Sequence, residues 1–470
     1  MIGQHSQDGT TEAVIEICAS NADAYGGFAA PAAMLGQANP SLANPALVAL
    51  TNAARSQLPT ELVNTVSFSY SSDALALGDP FTVDIPNPRG KYTDKFLVGQ
   101  TVRLYLKNPH VEGGVRTLKK TCVIVRRDQS CSMAGSTIHL DCADLGWHLA
   151  TNDAPLWYRL QGSTLYKLLT DSHWIDPSWG IRGLDDTTET DQRIKQGLNQ
   201  GRVQFALDLQ NILGTFVQIQ VEVGDKIAGL VTEYARRDNR FINVSSDGYL
   251  QVWKPSYQRE SKFRIEFHGF DEPSRNVNQV IDARISEDVT PKASHVVCVG
   301  EMVGGDLAPN NPTNQNAAKR RGDYINQFAT PFYRRQTFAD SGVFDYATAK
   351  KVAKWRNDRN IFDSWQAVYV VRGHWQKPDR NSRAWWWESN ELCDVNDTVN
   401  GIKGTFWISS VRCDRNAQGD RTTVTLRHPC LDPSFGLYPD PPRITGSIID
   451  YRTNQTQQVT TATAQKVVKP

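Results

Sequence analysis

Two blocks of short alternating strands, each closed by the same hairpin signature, constrain this chain more than any other feature. In the first block "VNTVSFSY", "PFTVDI", "FLVGQTVRLYL", "KKTCVIVRR" and "STIHLDCAD" follow one another between residues 63 and 144, parted by Gly, Pro, Asp and Ser. A period of two with turn residues at this spacing encodes the half-buried strands of a small barrel or sandwich. β character returns in "QVIDARISE" and "SHVVCVGEMV" and, after a long interruption, in "AVYVVRGHW", "RAWWWES", "GTFWISSVRCD" and "RTTVTLRHP". The segments "VRRDQSCSMAGSTIHL" from Val125 and "VRCDRNAQGDRTTVTL" from Val411 share V-R-x-D, seven residues, Ser or Thr, Thr, a β-branched residue, any residue and Leu. Each carries a glycine, Gly135 or Gly419, where a hairpin would turn. Five identities in sixteen positions are a weak match alone, but both copies stand last in their block. The simplest account is a duplicated β domain, in which Asp128, Gly135 and Thr137 answer Asp414, Gly419 and Thr423.

The region between the blocks changes register. A helix is predicted to open at Ser163 in "STLYKLLTDS", followed by the acidic stretch "GLDDTTETD". A second helix is predicted behind Gly224 and Asp225, because Ile227, Leu230, Val231, Tyr234 and Ala235 recur on one helical face. Asp247-Gly248 suits a tight type I′ turn joining strands at Phe241 and at Tyr249 to Trp253. Near the N-terminus, residues 12 to 24 read as a strand followed by "YGGF". Residues 29 to 60 are rich in Ala, Asn and Pro, with one short helix expected from Pro45 behind an Asn44 cap. Pro439, Pro441 and Pro442 precede a tail in which Thr and Gln make up nine of the last twenty residues, so an extended arm is expected there.

A chain of 470 residues is long enough for about three domains, each with its own core. Lys and Arg total 51 against 50 Asp and Glu, so no overall charge favours nucleic acid or an anionic membrane. No run of about 18 apolar residues and no basic leader with an apolar segment occurs, so a soluble protein made in the cytoplasm without export, with no membrane anchor, is expected. The eight cysteines never form CxxC, and several sit inside strand-like runs as small buried hydrophobes would.

Catalytic signatures are absent: there is no HExxH, GxSxG, Walker loop, or GxGxxG after a strand. His139 alternates with Ile138 and Leu140, which points it to solvent or an interface rather than to a metal. Asp185, Asp186, Glu189 and Asp191 could imitate paired glycosidase carboxylates, but a solvated acidic loop is the simpler reading. In "RAWWWES" a strand would set Trp385 and Trp387 on one face and Trp386 on the other, which invites a sugar-stacking reading beside a core one.

The C-terminal block, with "DYATAKKVAKWRNDRN" as a helix, "AVYVVRGH" as a strand and the run "NELCDVNDTVNGIKGTFWISSVRCDRNAQGDRTTVTLRHP", resembles the baseplate hub family of contractile-tailed bacteriophages, that of Mu-like tail protein P and late control protein D. The helix with its Asp-Gly hairpin and the early "YGGF" are similar to that family as well, whereas residues 29 to 60 are longer than its usual link. The resemblance implies an α+β, mainly β fold: two related tube-like β-barrel domains with an intervening helix-plus-hairpin domain. The expected boundaries are 1–150 with an insertion at 29–60, 151–275, a split second β domain at 276–435 with an inserted loop and helix, and an extended tail at 436–470. It also implies a virion protein assembled in the host bacterial cytoplasm, a homotrimer joining the six-fold tail tube protein to the three-fold central spike protein. Baseplate wedge proteins and the tape measure protein would be neighbours, ejected DNA a transient contact, and no cofactor would be needed. Type VI secretion spikes and bacteriocin tails share this architecture. In "KRRGDYINQFATPFYRRQTF", Arg320, Arg321, Arg334 and Arg335 interleave with aromatics. Such a mix could grip DNA, but a gripping channel would impede its passage, so a protein interface is the expected use. The rival reading is a tail-associated cell-wall hydrolase or glycan-binding module.

Overall fold

The computed structural model describes residues 11–17, 61–154, 161–163, 216–268, 280–300, 321–427, 447–450 and 455–458, apart from short internal stretches. The helices predicted after Asn44 and after Ser163, and the acidic loop, lie outside the described residues. The first strands are β1 (Glu12–Ile17), β2 (Glu61–Asn64), β3 (Ser67–Asp73), β4 (Pro80–Pro86), β5 (Thr101–Lys107), β6 (Thr117–Ser132) and β7 (Gly135–Asp144), followed by helix α1 (Trp147–Thr151). Next come β8 (Gln161–Ser163), β9 (Phe216–Gln218), α2 (Ile227–Arg237), β10 (Phe241–Val244), β11 (Leu250–Trp253) and β12 (Phe263–Phe267). Then follow β13 (Val280–Glu287), β14 (His295–Gly300), β15 (Arg321–Ile325), β16 (Arg335–Asp340) and α3 (Tyr346–Asp363). The chain continues with β17 (Trp365–Arg372), β18 (Trp375–Gln376), β19 (Trp385–Trp386), β20 (Leu392–Asp397), β21 (Ile402–Asn416), β22 (Gly419–Arg427), β23 (Ser447–Asp450) and β24 (Gln455–Gln458). Among the described residues, no helix is long and apolar enough to cross a membrane.

Thirteen of these strands form one sheet, and its strand order repeats. β3, β4, β5, β6 and β7 lie in the order β3-β4-β7-β6-β5, while β13, β17, β20, β21 and β22 lie in the order β13-β17-β22-β21-β20. Every neighbouring pair in both sets is antiparallel. The buried faces also correspond. Phe81, Val83 and Ile85 of β4 and Ala367, Tyr369 and Val371 of β17 alternate into one shared core. The sets differ at their flanks, where β1 is antiparallel to β5 but β12 is parallel to β20.

Both long hairpins bend in the same way. Two residues separate Ser132 from Gly135 and Asn416 from Gly419, and each turn glycine has a left-handed φ, 142° and 105°. Val125, seven residues before Ser132, and Ser409, seven before Asn416, each sit in a β-bulge. Turns and bulges therefore align the copies two residues away from the V-R-x-D match, with Arg412, not Asp414, opposite Thr423 as Asp128 is opposite His139. A shift of two residues keeps every side chain on its face, which is why sequence periodicity does not detect it.

Four sequence expectations are corrected. The region 151–275, expected as a separate α+β domain, gives its last strand to the main sheet: β12 pairs with β20, Phe263 and Ile265 enter the main core, and Phe263 stacks on Trp387 with centroids 4.5 Å apart. The insertion in the second β unit is more than a loop and helix. β14, read as part of that β unit, instead centres a separate sheet β15-β14-β16 against α3. The Asp247-Gly248 hairpin forms, but Val244 pairs with Leu250, so five residues span the turn instead of two. The tail carries an antiparallel pair, β23 with β24, where a plain extended arm is expected.

Gly322 in β15 shows how closely the inserted unit is packed. A Cβ there would meet Lys350 N at 2.2 Å and the Ala349 carbonyl carbon at 2.4 Å, both helix backbone that cannot swing aside. Gly322→Ala is expected to cost about 1–3 kcal/mol by lifting α3 from its sheet. Faster hydrogen exchange in 346–363, with β6 and β7 unchanged, would record it; unchanged exchange in α3 would refute the packing argument.

Candidate interface surfaces

The two repeats face different environments at their long hairpins. β21 is sandwiched along its length: β22 lies on one side, and β20 and then β3 on the other. Ser410 to Arg415 pair with Asp73 to Phe68, which joins the two repeats into one sheet. On β6 the matching outer half, from Arg126 onward, is exposed or half-buried and pairs only with β7 among the described residues. Asp128 is 51% exposed on its side chain and pairs with Arg126 at 2.8 Å. Thr137 Oγ1 lies 2.7 Å from Ser130 Oγ. In the second hairpin Arg412 Nε donates to Asp414 at 3.0 Å and to Ser69 Oγ at 3.1 Å, across the junction with β3. Gly135 and Gly419 serve the turns, and Thr423 is half-buried opposite Arg412.

The basic and aromatic segment is divided by its fold. Arg320 lies outside the described residues. Arg321 stands beside Val299 and binds Asp323 at 3.1 Å, whereas Arg335 stands beside His295 at the other end of β14. Half-buried Arg334 donates to the Val289 carbonyl at 3.4 Å. Tyr324 and Phe338 pack against the α3 core, while Phe332 and Tyr333 remain exposed. Its cations and rings therefore form no continuous groove among the described residues.

The tryptophan run is also redistributed. Trp386 and Trp387 are both 2% exposed, because β19 ends at Trp386 and the backbone then leaves strand alternation. Only Trp385 stays half-buried, between Lys262 and Arg383. The faces of Trp386 and Trp387 are in the core and cannot stack a sugar.

Charged chemistry is concentrated where sequence spacing offers no clue. Lys120 Nζ is buried 2.7 Å from Asp79 Oδ2 and 3.2 Å from Asp144 Oδ2. Asp144 Oδ1 accepts the Gly78 and Gly146 N–H groups at 3.1 and 2.8 Å. Burial, with Asp144 nearby, pushes the Asp79 carboxyl up to about 6 despite Lys120. Burial opposes the charge on Lys120, but Asp79 and Asp144 hold it above its ordinary value. This network fixes the corner between β7 and α1. On the surface, His139 lies 2.7 Å from Asp84 and 3.2 Å from Asp141, and the hydrogen bond to Asp84 raises its pKa. Carboxylates on both ring nitrogens favour imidazolium and leave no free base. No group of three or more His, Cys, Asp or Glu placed to hold a metal occurs among the described residues.

The helix and hairpin unit bridges both repeats. Phe241 stacks on Trp407 of β21 at 5.5 Å, while Thr121 Oγ1 of β6 donates to the Ser246 carbonyl at 2.7 Å. A Cβ on Gly248 would meet Leu145 Cδ1 at 2.8 Å, so the turn itself packs on the corner after β7.

This arrangement has counterparts among solved structures. A tail protein from Neisseria meningitidis MC58 superposes with a TM-score of 0.56 at 17% identity, covering 81% of this chain and 97% of that one. The 43 kDa tail protein of prophage MuSo2 from Shewanella oneidensis gives 0.54 at 16% identity, covering 78% and 96%. The chain has the fold of these phage tail proteins. No family model matches it, and no curated protein matches its sequence. The fold was legible through turn glycines and strand periods; the Lys120 cluster and the β6 edge that has no partner among the described residues carry no sequence signature.

Proposed function

We propose that this chain is a structural subunit of the baseplate hub of a contractile tail, acting as a homotrimeric adaptor. The observation that carries this reading is the five-strand order present twice in one continuous sheet. Three copies of a chain with two equivalent modules present six similar surfaces while keeping three-fold symmetry. Such a ring meets a six-fold tail tube protein on one side and a three-fold central spike protein on the other, with the channel for DNA along its axis. The modules are assigned to 1–150 and 276–435, the second with β14, β15, β16 and α3 as an inserted unit, the bridging unit to 151–275 with its β12 paired to β20, and the tail with its β23–β24 pair to 436–470, with wedge and tape measure proteins as further neighbours in the virion. Interface roles for Asp128, Gly135, Thr137, Asp414, Gly419, Thr423, Arg320, Arg321, Arg334 and Arg335 belong to the same proposal. The buried faces of Trp386 and Trp387 weigh against the glycan-binding alternative. Native mass spectrometry at micromolar concentration tests the reading: a trimer is expected. A monomer that clears peptidoglycan suspensions would replace the hub by a hydrolase.

A further inference from the structure

We infer that the trimer closes through one specific strand junction, in which β13 of one copy pairs with the outer half of β6 of the next. This rests on the trimeric reading above and names the residues that make the contact. Within the chain, β3 completes the outer half of β21. By the repeat, β6 stands in the place of β21 and β13 in the place of β3. Among the described residues, β6 beyond Ile124 pairs only with β7, and β13 pairs only with β17. Each chain therefore presents one half of the junction on β13, at one end of its sheet, and the other on the outer half of β6, beyond the ladder with β5 on the opposite side, as a head-to-tail ring requires.

The repeat fixes the register. Leu140 and Val424 both lie five residues beyond their turn glycines, and they pair with Val83 and Tyr369. Val83 pairs with Phe68 and Tyr369 with Ala283, so Ala283 holds the position of Phe68. Likewise Cys131, just before the turn residue Ser132, holds the position of Arg415. Transferring the β21 to β3 ladder then sets Cys131 opposite Ala283, Gln129 opposite Ile285, Asp128 opposite Ser286, Arg127 opposite Glu287 and Arg126 opposite Asp288 of the neighbouring copy.

Two independent properties agree with that register. The first is charge: two arginines meet a glutamate and an aspartate, and Arg284, opposite Ser130, is diagonal to Asp128. Arg127 Nη2 donates to Thr93 O and to Gln129 Oε1, which leaves its buried Nε without a hydrogen-bond partner among the described residues, and Glu287, held by Lys292 at 2.7 Å through Oε1, is still 63% exposed on its side chain. The second is backbone direction. Asp288 N donates to Ser364 O, so by antiparallel alternation Asp288, Ser286 and Arg284 point their backbone groups at β17, and Glu287, Ile285 and Ala283 point theirs outward. The two-residue turn makes Ser132 and Gly135 a bonded pair, so Arg127, Gln129 and Cys131 point outward from β6. The transferred register brings each outward residue of one strand opposite an outward residue of the other. A slip of one residue would break this match. Pairing would also cover Ala283 and Ile285, which are half-buried at the edge of the core.

The test uses the full chain. Arg127→Glu and Glu287→Arg are each expected to weaken trimerisation at least about 10-fold in native mass titrations, and the double exchange to restore it. Asp128 and Ser286 would form a non-hydrogen-bonded pair with Cα atoms about 4.5 Å apart, within disulfide reach. Asp128→Cys with Ser286→Cys, in a Cys131→Ser background, should therefore give covalent trimers on oxidation. Asp128→Cys with Asp282→Cys, four residues out of register, should not. A wild-type trimer that is insensitive to both charge reversals and gives no cross-link would overturn this junction and leave the hub reading standing. A monomeric wild type would overturn both.

Discussion

Lys120→Met is expected to lower the stability of the chain by about 3–5 kcal/mol at pH 7, because it strands two buried carboxylates whose shared counter-ion is gone. Lys120 and both acids, Asp79 and Asp144, are buried, and no described cation replaces the 2.7 and 3.2 Å contacts. The methionine fills most of the lysine stem's volume, so packing loss is a minor part. The pH dependence separates charge from packing. Asp79 titrates near 6 when folded and near 3.8 when unfolded, so the folded state binds the extra proton between those values. Its contribution is full below about 4 and is lost as pH rises through about 6. The Lys120→Met deficit should therefore shrink when urea midpoints are compared at pH 5 and pH 7. A deficit of equal size at both would assign the loss to packing.

Trp407→Ala should cost a similar amount, about 3–5 kcal/mol, with its effect spread over three units. Trp407 is 1% exposed on β21, stacks on Phe241 of β10, lies 6.1 Å from Phe362 of α3, and donates Nε1 to Asn390 Oδ1 at 3.2 Å. Ala74 and Leu392 complete this small core. Its loss should raise hydrogen exchange in 241–253 and 346–363 together, as well as in β21. If β21 alone responded, the helix and hairpin unit and the inserted unit would be held by other contacts. Trp407→Phe should recover much of the stability by keeping the aromatic stack without the indole hydrogen bond.

Trp407 also shows where sequence reading stops. Its strand was legible, since "GTFWISSVRCD" alternates and ends near a turn glycine, and the same holds for β6, β7, β22 and α2. Ile227, Val231 and Ala235 are buried as the helical period requires. The run "RAWWWES" failed because alternation was applied to a strand only two residues long. The Asp-Gly turn was located but given the wrong length, since its glycine supplies a left-handed φ of 89° in a five-residue connection that Leu145 packs against. Of the candidate interface, the hairpins were visible, while Arg127, Glu287 and Asp288 were not singled out because nothing local distinguishes them from solvated charges.

By itself the sequence determined the local elements and which face of each is apolar, because side-chain period and turn chemistry act over a few residues. It also carried the duplication, through two similar hairpins in similar positions. Only the tertiary structure decided which edges meet. Backbone N–H and C=O groups are chemically alike on every strand, so partner choice depends on how the whole core closes. Arg412 and Ser69 touch across 343 residues of chain, β12 joins β20 in parallel although β1 is antiparallel to β5, and Lys120 gathers Asp79 and Asp144 from separate strand ends. Packing of the whole core brings these groups together, and a pattern that repeats every two residues carries no information about it.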